Sequence, residues 1–182
     1  MGIDIGPYFV FKTEVKTKGY SMASFTHIDK EGHVRMVDVT EKKTSVRVAI
    51  AKGMISMNPE TFERIQNKSV KKGNVLETAR IAGVLAAKKT ADLIPMCHPL
   101  NITHVSVDFF MDEAKKSIRI ESVVRIVGQT GVEMEALTAV TVAALTIYDM
   151  CKSYDRGMYI SDIFLLKKSG GKSGTFIREK TA

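Results

Sequence analysis

The order of strand and helix patterns along the chain is the feature that most constrains its fold. Val46, Val48 and Ile50 alternate with polar residues in a run that reaches about Met57, as in a half-buried strand. A helix start follows, with Pro59 tolerated in the first turn. The regular part of the chain therefore begins with a strand and a helix.

The middle of the chain predicts a second helix and a hairpin. Asn74 can cap a helix that runs to about Lys89. Residues 102–111 and 118–127 are two β-rich runs joined by a loop of about five residues that contains AspGluAlaLysLys, which indicates an antiparallel hairpin. Between them, residues 92–100 contain two prolines, so we expect a stiff irregular loop there.

The C-terminal half adds the longest helix and a last strand. Residues 130–152 are rich in Ala, Leu, Val and Met and lack a helix breaker, and residues 159–166 have a strand pattern. The order strand, helix, helix, strand, strand, helix, strand indicates two strand-helix-strand halves. It predicts an α+β fold, a ferredoxin-like sandwich in which an antiparallel sheet packs against helices.

The length and composition fit one domain. At 182 residues and 45% hydrophobic residues, the chain can bury one substantial core. Residues 1–21 show no sustained periodicity, so we expect an N-terminal extension there, disordered or non-native, and a single domain over 22–182. The Gly- and Ser-rich residues 169–174, with the lysines around them, predict a flexible basic C-terminal segment.

The apolar and cysteine patterns favour a cytoplasmic protein. No apolar run reaches the roughly 18 to 20 charge-free residues of a membrane span, and the N-terminus lacks a signal pattern. The two cysteines, Cys97 and Cys151, lie far apart and form neither a disulfide framework nor a zinc motif. We therefore expect no membrane partner and a reducing compartment.

The net charge of +7, from 27 Lys and Arg against 20 Asp and Glu, favours anionic partners. Nucleic-acid binders cluster basic residues with exposed aromatics. Here the lysines are scattered, tryptophan is absent and aromatics make up 7% of the chain. This composition favours a phosphorylated metabolite over nucleic acid.

The first turn of the 130–152 helix contains two glutamates. Thr130 and Glu133 have the spacing of a capping box, which would give Glu133 a purely structural role. Glu135 lies two residues further and points to another side of the helix. It belongs either to an exposed edge or to a site, and the spacing leaves both readings open.

The last turn of the same helix contains Asp149 and Lys152, three residues apart and thus on one face. A surface ion pair and an acid–base couple both fit this spacing. Fourteen residues separate Glu135 from Asp149, or about 21 Å of helix. If both residues serve one site, that site must combine two subunits with the helices roughly antiparallel.

Two further positions could contact an anion or carry a proton. Lys72 precedes a helix N-terminus, where phosphate binding and simple solvation are both plausible. His98 lies between two prolines and could donate a hydrogen bond or carry a proton, while a metal role lacks further ligands at suitable spacing. GlyLysSer at 171–173 is no P-loop, because Leu166 stands where that motif needs glycine.

Several longer blocks are similar to the signature blocks of one enzyme family. They are MVDV at 36–39, DLIPMCHPL at 92–100, GVEMEALT at 131–138, LTIYDMCK at 145–152 and KSGGKSG at 168–174. The chain resembles the cyclic pyranopterin monophosphate synthase family, molybdenum cofactor biosynthesis protein C, from about Thr26 to Phe176. Several blocks in one order are much more specific than any short motif.

The resemblance implies a lyase that converts 3′,8-cyclo-7,8-dihydroguanosine 5′-triphosphate into cyclic pyranopterin monophosphate with loss of pyrophosphate. It also implies a ferredoxin-like subunit, a homo-hexamer built as a trimer of dimers, and a site at the dimer interface. No redox cofactor and no resident metal are implied, and the need for Mg²⁺ with the triphosphate stays open.

The resemblance also implies roles for individual residues. The acid and base residues would be Lys72, Asp149 and Lys152. The substrate contacts would be Arg47, Met96, Cys97, His98, Glu133, Met134, Glu135 and Lys168. The alternative from another class is a non-catalytic nucleotide- or RNA-binding module on the same fold. A structural assembly subunit is a third reading, in which Asp149 and Lys152 would be freely replaceable.

Overall fold

The computed structural model describes residues 31–179. The predicted extension at 1–21 lies outside the described residues. The elements are β1 Ser45–Ser56, α1 Pro59–Gln66, α2 Val75–Lys88, α3 Thr90–Leu93, β2 His104–Asp112, β3 Ser117–Gly128, α4 Glu133–Cys151, β4 Tyr159–Ser169 and β5 Phe176–Ile177.

All strands lie in one antiparallel sheet with the order β2-β3-β1-β4-β5. The predicted hairpin is confirmed, with Phe109 opposite Ile120 in the β2–β3 pair. The predicted helix start at Pro59 and the predicted Asn74 cap are also confirmed. The Asn58 side chain accepts a hydrogen bond from the Thr61 N–H at 2.7 Å, and the Asn74 side chain accepts one from Glu77 at 3.3 Å.

The core lies between one face of the sheet and helices α2 and α4. Ala49, Ala51 and Ile55 alternate along β1 and are fully buried, as period-two strand geometry requires. Helix α4 packs on β1, β3 and β4, while α2 packs on α4 and β2. A buried hydrogen bond of 2.7 Å, from the Ser122 hydroxyl to the Ala136 carbonyl, attaches the first turns of α4 to β3.

Helix α4 is apolar enough, by length and composition, to cross a membrane, with a mean hydropathy of 1.3. Half of that segment is buried inside the protein, and Ala139, Ala143 and Ile147 are fully buried. A buried core helix meets the same criteria, and α4 occupies that position.

Three local features differ from the sequence-based expectations. The predicted capping box of Thr130 and Glu133 is wrong. Helix α4 begins at Glu133 after Val132, whose backbone is not helical, and no side chain caps the first N–H groups of the helix. Thr130 is therefore too far from the helix to bond its third residue. The short α3 covers the start of the loop predicted at 92–100, and β5 was not predicted.

Candidate functional site

Helix α4 carries the predicted site residues at its two ends. Glu133, Met134 and Glu135 form its first turn, whereas Asp149 lies in its last turn and Lys152 is its C-cap residue. At 1.5 Å per residue, Glu135 and Asp149 are about 21 Å apart along the helix. One chain therefore presents two separate groups, one at each end of the helix.

At the C-terminal end, Asp149 is held between two lysines, and we call this group the carboxylate–lysine cluster. The Lys152 ammonium donates to one Asp149 carboxylate oxygen at 2.7 Å. The Lys72 ammonium lies 3.5 Å from the other oxygen and donates to the Asp149 main-chain carbonyl at 2.9 Å. The predicted Asp149–Lys152 pair is thus present, and Lys72 joins it from another element.

The position of Lys72 follows from how its loop is attached. The Lys71 N–H donates to the Tyr154 hydroxyl at 3.3 Å, which ties the loop before α2 to the segment after α4. From the sequence, Lys72 could bind an anion at the N-terminus of α2 or be simply solvated. The side chain instead points to the C-terminus of α4, where unpaired carbonyls attract cations.

The two lysines keep Asp149 ionised. The hydrogen bond and charge of Lys152, followed by the charge of Lys72, lower the pKa of Asp149 below its ordinary value. The three side chains are about half exposed, at 49% for Lys72, 61% for Asp149 and 53% for Lys152. The cluster thus presents an accessible carboxylate with two ammonium groups beside it.

At the N-terminal end of α4, a cavity of about 280 Å³ contains most of the predicted substrate contacts, and we call it the acidic cavity. Its walls include Met96, Cys97, His98, Glu133, Met134 and Glu135, together with Val37, Val39, Lys42, Leu100, Thr130 and Gly131. The proline-containing loop and the first turn of α4, distant in sequence, thus form one surface.

Glu135 is buried in the wall of this cavity, with 4% of its surface exposed. Burial disfavours the charged form and, with a smaller contribution from the charge of Glu133, raises the pKa of Glu135 to about 7. From its sequence spacing alone, Glu135 could lie at an exposed edge of the helix or in a site. The structure favours the site, because a buried carboxyl that titrates near neutrality is typical of functional positions.

The proline-flanked loop is anchored through His98. One imidazole nitrogen, Nε2, lies 2.8 Å from the Val37 carbonyl in the segment before β1. The adjacent Cys97 is partly buried, and burial followed by the charge of Glu135 raises the pKa of its thiol. Cys97 is therefore an uncharged wall of the cavity, and a thiolate nucleophile is disfavoured there.

A second cavity of about 180 Å³ adjoins the acidic cavity and contains Arg47 and Lys168, and we call it the bridging cavity. The Arg47 Nε–H donates to the Gly128 carbonyl at 3.0 Å, which fixes the guanidinium. Gly171 has φ 72°, and a side chain there would collide with that guanidinium. The glycine lets the β4–β5 turn approach Arg47 closely.

Glu133 lies in the walls of both cavities. Its carboxylate folds back over Gly131, where any side chain would collide with it. Because α4 has no capping box, this carboxylate is not committed to a helix N–H and faces the cavities. The structure therefore brings all eight predicted substrate contacts to one end of α4.

Sequence reasoning assigned no role to Lys42, which lines both cavities. It lies between the MVDV block and β1, so a signal was available in the sequence. Lys42 was not singled out because the segment that contains it has no periodic pattern. Within residues 31–179, no cluster of three or more His, Cys, Asp or Glu side chains could hold a metal ion.

Comparisons with known proteins give a consistent result. A sequence model described as MoaC family matches residues 36–171. The chain is 66% identical to the cyclic pyranopterin monophosphate synthase of Desulforapulum autotrophicum, over 87% of this chain and 98% of that protein. It is 63% identical to the synthase of the same name from Desulfatibacillum aliphaticivorans, over 87% and 99% of the two chains. The Roseiflexus sp. synthase is 56% identical over 87% of this chain and all of its own length.

Proposed function

The chain belongs to the MoaC family, and we propose how it catalyses the reaction for which its relatives are named. It is a lyase of molybdenum cofactor biosynthesis. It converts 3′,8-cyclo-7,8-dihydroguanosine 5′-triphosphate into cyclic pyranopterin monophosphate and pyrophosphate.

The observation that carries the proposal is the separation of two complementary groups along α4. The carboxylate–lysine cluster contains proton-transferring groups, and the acidic and bridging cavities contain binding groups, yet about 20 Å of helix lies between them. A small ligand cannot reach both in one subunit. We infer a homo-oligomer in which the cluster of one subunit faces the cavities of its partner.

The binding groups suit the two ends of the substrate. Glu133 and Glu135 can accept hydrogen bonds from the N–H donors of the guanine-derived ring, with His98 beside them. Met96, Cys97 and Met134 supply the apolar part of the wall. Arg47 and Lys168 offer positive charge to the phosphates. The ring therefore lies in the acidic cavity and the phosphate chain extends toward the bridging cavity.

The carboxylate–lysine cluster performs the proton transfers of the ring rearrangement. The purine-derived five-membered ring opens and its atoms are rebuilt into the pyrazine ring of the pterin, which requires protons to leave and arrive at carbon, nitrogen and oxygen. Asp149 stays ionised between its lysines and accepts protons, while Lys72 and Lys152 donate them. Positioning these groups around one bound ring lowers the entropic cost of each transfer.

The final step closes the cyclic phosphate. A substrate hydroxyl oxygen bonds to the α-phosphorus while the bond from that phosphorus to the bridging oxygen breaks. Pyrophosphate leaves with the electron pair of the broken bond, and the hydroxyl proton passes to the base. A nearby ammonium stabilises the charge that develops on the leaving group. The step moves protons and one phosphoryl bond and changes no oxidation state.

We further propose a ferredoxin-like subunit within a hexamer built as a trimer of dimers in the cytoplasm. The strand order β2-β3-β1-β4, with α2 and α4 packed together, supports the first part. The binding cavities and the carboxylate–lysine cluster lie at opposite ends of α4, and this supports a dimer as the smallest active unit. Mg²⁺ would arrive with the triphosphate of the substrate, and no resident cofactor is proposed.

The experiment is turnover of enzymatically prepared substrate by the purified protein, with pyrophosphate and pterin product followed together. We expect both products in equal amounts from the wild type. Asp149→Ala should lower kcat by roughly a hundredfold to ten-thousandfold. Glu63→Ala, which removes an exposed carboxylate from α1, is the matched control and should keep full activity. A folded wild type that binds the nucleotide without product would instead favour a binding module.

A further inference from the structure

Lys72 stands in a β-turn between α1 and α2. The Gly73 N–H donates to the Val70 carbonyl at 3.0 Å, so Lys71 and Lys72 are the two central residues of the turn. Val70 is buried, with 5% of its surface exposed, and anchors the turn against the core. Both lysines are exposed at the tip. We call residues 70–73 the lysine turn.

The contact of Lys72 with Asp149 depends on where the lysine turn lies. The Lys72 ammonium reaches the carbonyl of Asp149 at 2.9 Å and its carboxylate at 3.5 Å, although its side chain is 49% exposed. A flexible lysine side chain with a hydrated ammonium has many competing conformations. The contact is therefore kept only if the backbone of the turn is held close to the C-terminal end of α4.

Tyr154 joins the lysine turn to the end of α4. Its main-chain N–H donates to the Cys151 carbonyl at 2.8 Å, and its hydroxyl accepts a hydrogen bond from the Lys71 N–H at 3.3 Å. The contact of Lys72 with Asp149 completes a ring of interactions through the lysine turn, Tyr154 and the last turn of α4. Movement of the turn away from α4 would therefore break the Tyr154 hydrogen bond and the Lys72 contact together.

The Tyr154 ring is itself held by Arg64 of α1. The guanidinium carbon lies 4.8 Å from the centroid of the ring, within the range of a cation–π contact. Glu60, one helical turn earlier, accepts hydrogen bonds from Arg64 at 2.8 and 3.1 Å and keeps the guanidinium in place. Tyr154 also packs against the edge of the hydrophobic core. The hydroxyl is therefore presented to the lysine turn by a restrained ring.

We propose that Tyr154 is a positioning residue for the reaction, whose hydroxyl holds the lysine turn where the Lys72 ammonium meets Asp149, and that Arg64 orients its ring. This inference rests on the proposed function, in which Lys72 and Asp149 transfer protons. Tyr154 acts through Lys72 and transfers no proton itself. The hydrogen bond joins residues 83 positions apart in the chain, which explains why no local sequence pattern pointed to Tyr154.

The test is steady-state kinetics of Tyr154→Phe, which removes the hydroxyl and keeps the ring that Arg64 covers. We expect kcat to fall about threefold to tenfold, the range that the loss of one neutral hydrogen bond gives, and KM to change less than about twofold. Ser69→Ala is the matched control and should keep the wild-type kcat. The Ser69 hydroxyl also makes a bond of 3.3 Å, to the Arg64 carbonyl, but the Ser69 N–H holds the same carbonyl at 2.9 Å.

The same substitution in a Lys72→Ala background shows whether Tyr154 acts through Lys72. Once the ammonium is absent, the position of the lysine turn no longer affects proton transfer. We therefore expect Tyr154→Phe to change the residual kcat of Lys72→Ala less than about twofold. An equal loss of kcat in both backgrounds, or wild-type kcat in Tyr154→Phe alone, would overturn the positioning role.

Titration of the Asp149 carboxyl separates this inference from the proposed reaction, because it needs no turnover. Lys152 and, after it, Lys72 lower the pKa of Asp149, so a displaced lysine turn should raise that pKa toward its ordinary value. In NMR titrations of the intact protein, with Asp149→Asn to assign the resonance, Tyr154→Phe should raise the pKa in the same direction as Lys72→Ala and by less. An unchanged pKa in Tyr154→Phe would overturn the inference alone. A raised pKa together with no turnover by the wild type would contradict the proposed reaction alone.

Discussion

At the scale of single residues, Glu135 shows how burial changes the chemistry of a carboxyl group. Its pKa is raised from 4.5 to about 7 mainly by desolvation, so the group exchanges protons near neutral pH. A group with this pKa can accept hydrogen bonds as a carboxylate and donate one as an acid. Both forms are therefore available to a substrate ring that changes its own protonation.

The raised pKa makes stability depend on pH. Between pH 4.5 and about 7 the folded protein retains a proton that the unfolded chain has lost, so stability falls as pH rises across this window and levels off above it. Glu135→Gln removes the titrating group and therefore this loss of stability at higher pH. Relative to the wild type, the variant should gain on the order of 3 kcal/mol between pH 5 and pH 8.

The measurement is denaturant unfolding at both pH values and one fixed protein concentration. Glu113→Gln, at an exposed site in the β2–β3 turn, is the control and should follow the wild type. An identical pH dependence in Glu135→Gln and the wild type would show that Glu135 is ionised in the folded protein at low pH, contrary to this account.

The lysines of the carboxylate–lysine cluster give a second prediction at this scale. Arginine keeps the positive charge beside Asp149 but cannot release a proton near neutral pH. Lys72→Arg and Lys152→Arg should therefore each lower kcat by about a hundredfold or more. Steady-state kinetics on both variants, beside Lys115→Arg, test this. Full turnover in both would reduce the lysines to a purely electrostatic role.

Sequence reasoning found part of this site and missed the rest for physical reasons. The three-residue spacing of Asp149 and Lys152 fixes their contact within one helix, so the pair was predictable. The contact of Lys72 with Asp149 depends on how two distant segments pack, which no local pattern encodes. Likewise the burial of Glu135 depends on the loop around His98, so spacing alone left its environment open.

At the scale of elements, α4 approaches the sheet closely because β1 has a glycine beneath it. A Cβ at Gly53 would lie 2.5 Å from the Val140 side chain and 3.2 Å from that of Ile163. The β1–β4 register shifts at the same point, between Lys52 and Met54. The helix that carries both ends of the site is thus positioned by a small residue and an irregular strand pair.

The close approach predicts a coupled pair of substitutions. Gly53→Ala should destabilise the protein by about 2 kcal/mol through overpacking. Val140→Ala should cost about 2 kcal/mol through loss of buried methyl groups. In the double variant the new methyl fills part of the space left by valine, so the cost should be well below the sum. Denaturant unfolding of the four proteins measures this coupling, and simple additivity would contradict the packing described.

The elements themselves were largely predictable from the chain. The helix start at Pro59, the Asn74 cap and period-two alternation are local signals, and they located α1, α2, β1 and the β2–β3 hairpin. The β5 strand has two residues, and it forms only by pairing with Lys167 and Lys168 of β4. Such a tertiary contact leaves no periodic pattern, which is why the Gly- and Ser-rich segment before it suggested flexibility alone.

At the scale of the whole molecule, we propose that one active site needs two subunits. The binding groups lie at the N-terminal end of α4 and the proton-transferring groups at its C-terminal end, and the helix between them packs its buried face against the core. A two-fold dimer would bring opposite ends of two such helices together and create two equivalent sites. Catalysis should therefore depend on assembly as well as on the residues of each chain.

The most direct test is complementation between Lys168→Ala, defective in the bridging cavity, and Asp149→Ala, defective in the cluster. Each variant alone should be nearly inactive. Co-expressed with different tags and purified as mixed oligomers, they should regain activity, because each mixed dimer contains one site with both native halves. Random pairing predicts about a quarter of wild-type turnover. A mixture no more active than the separate variants would contradict the two-subunit site.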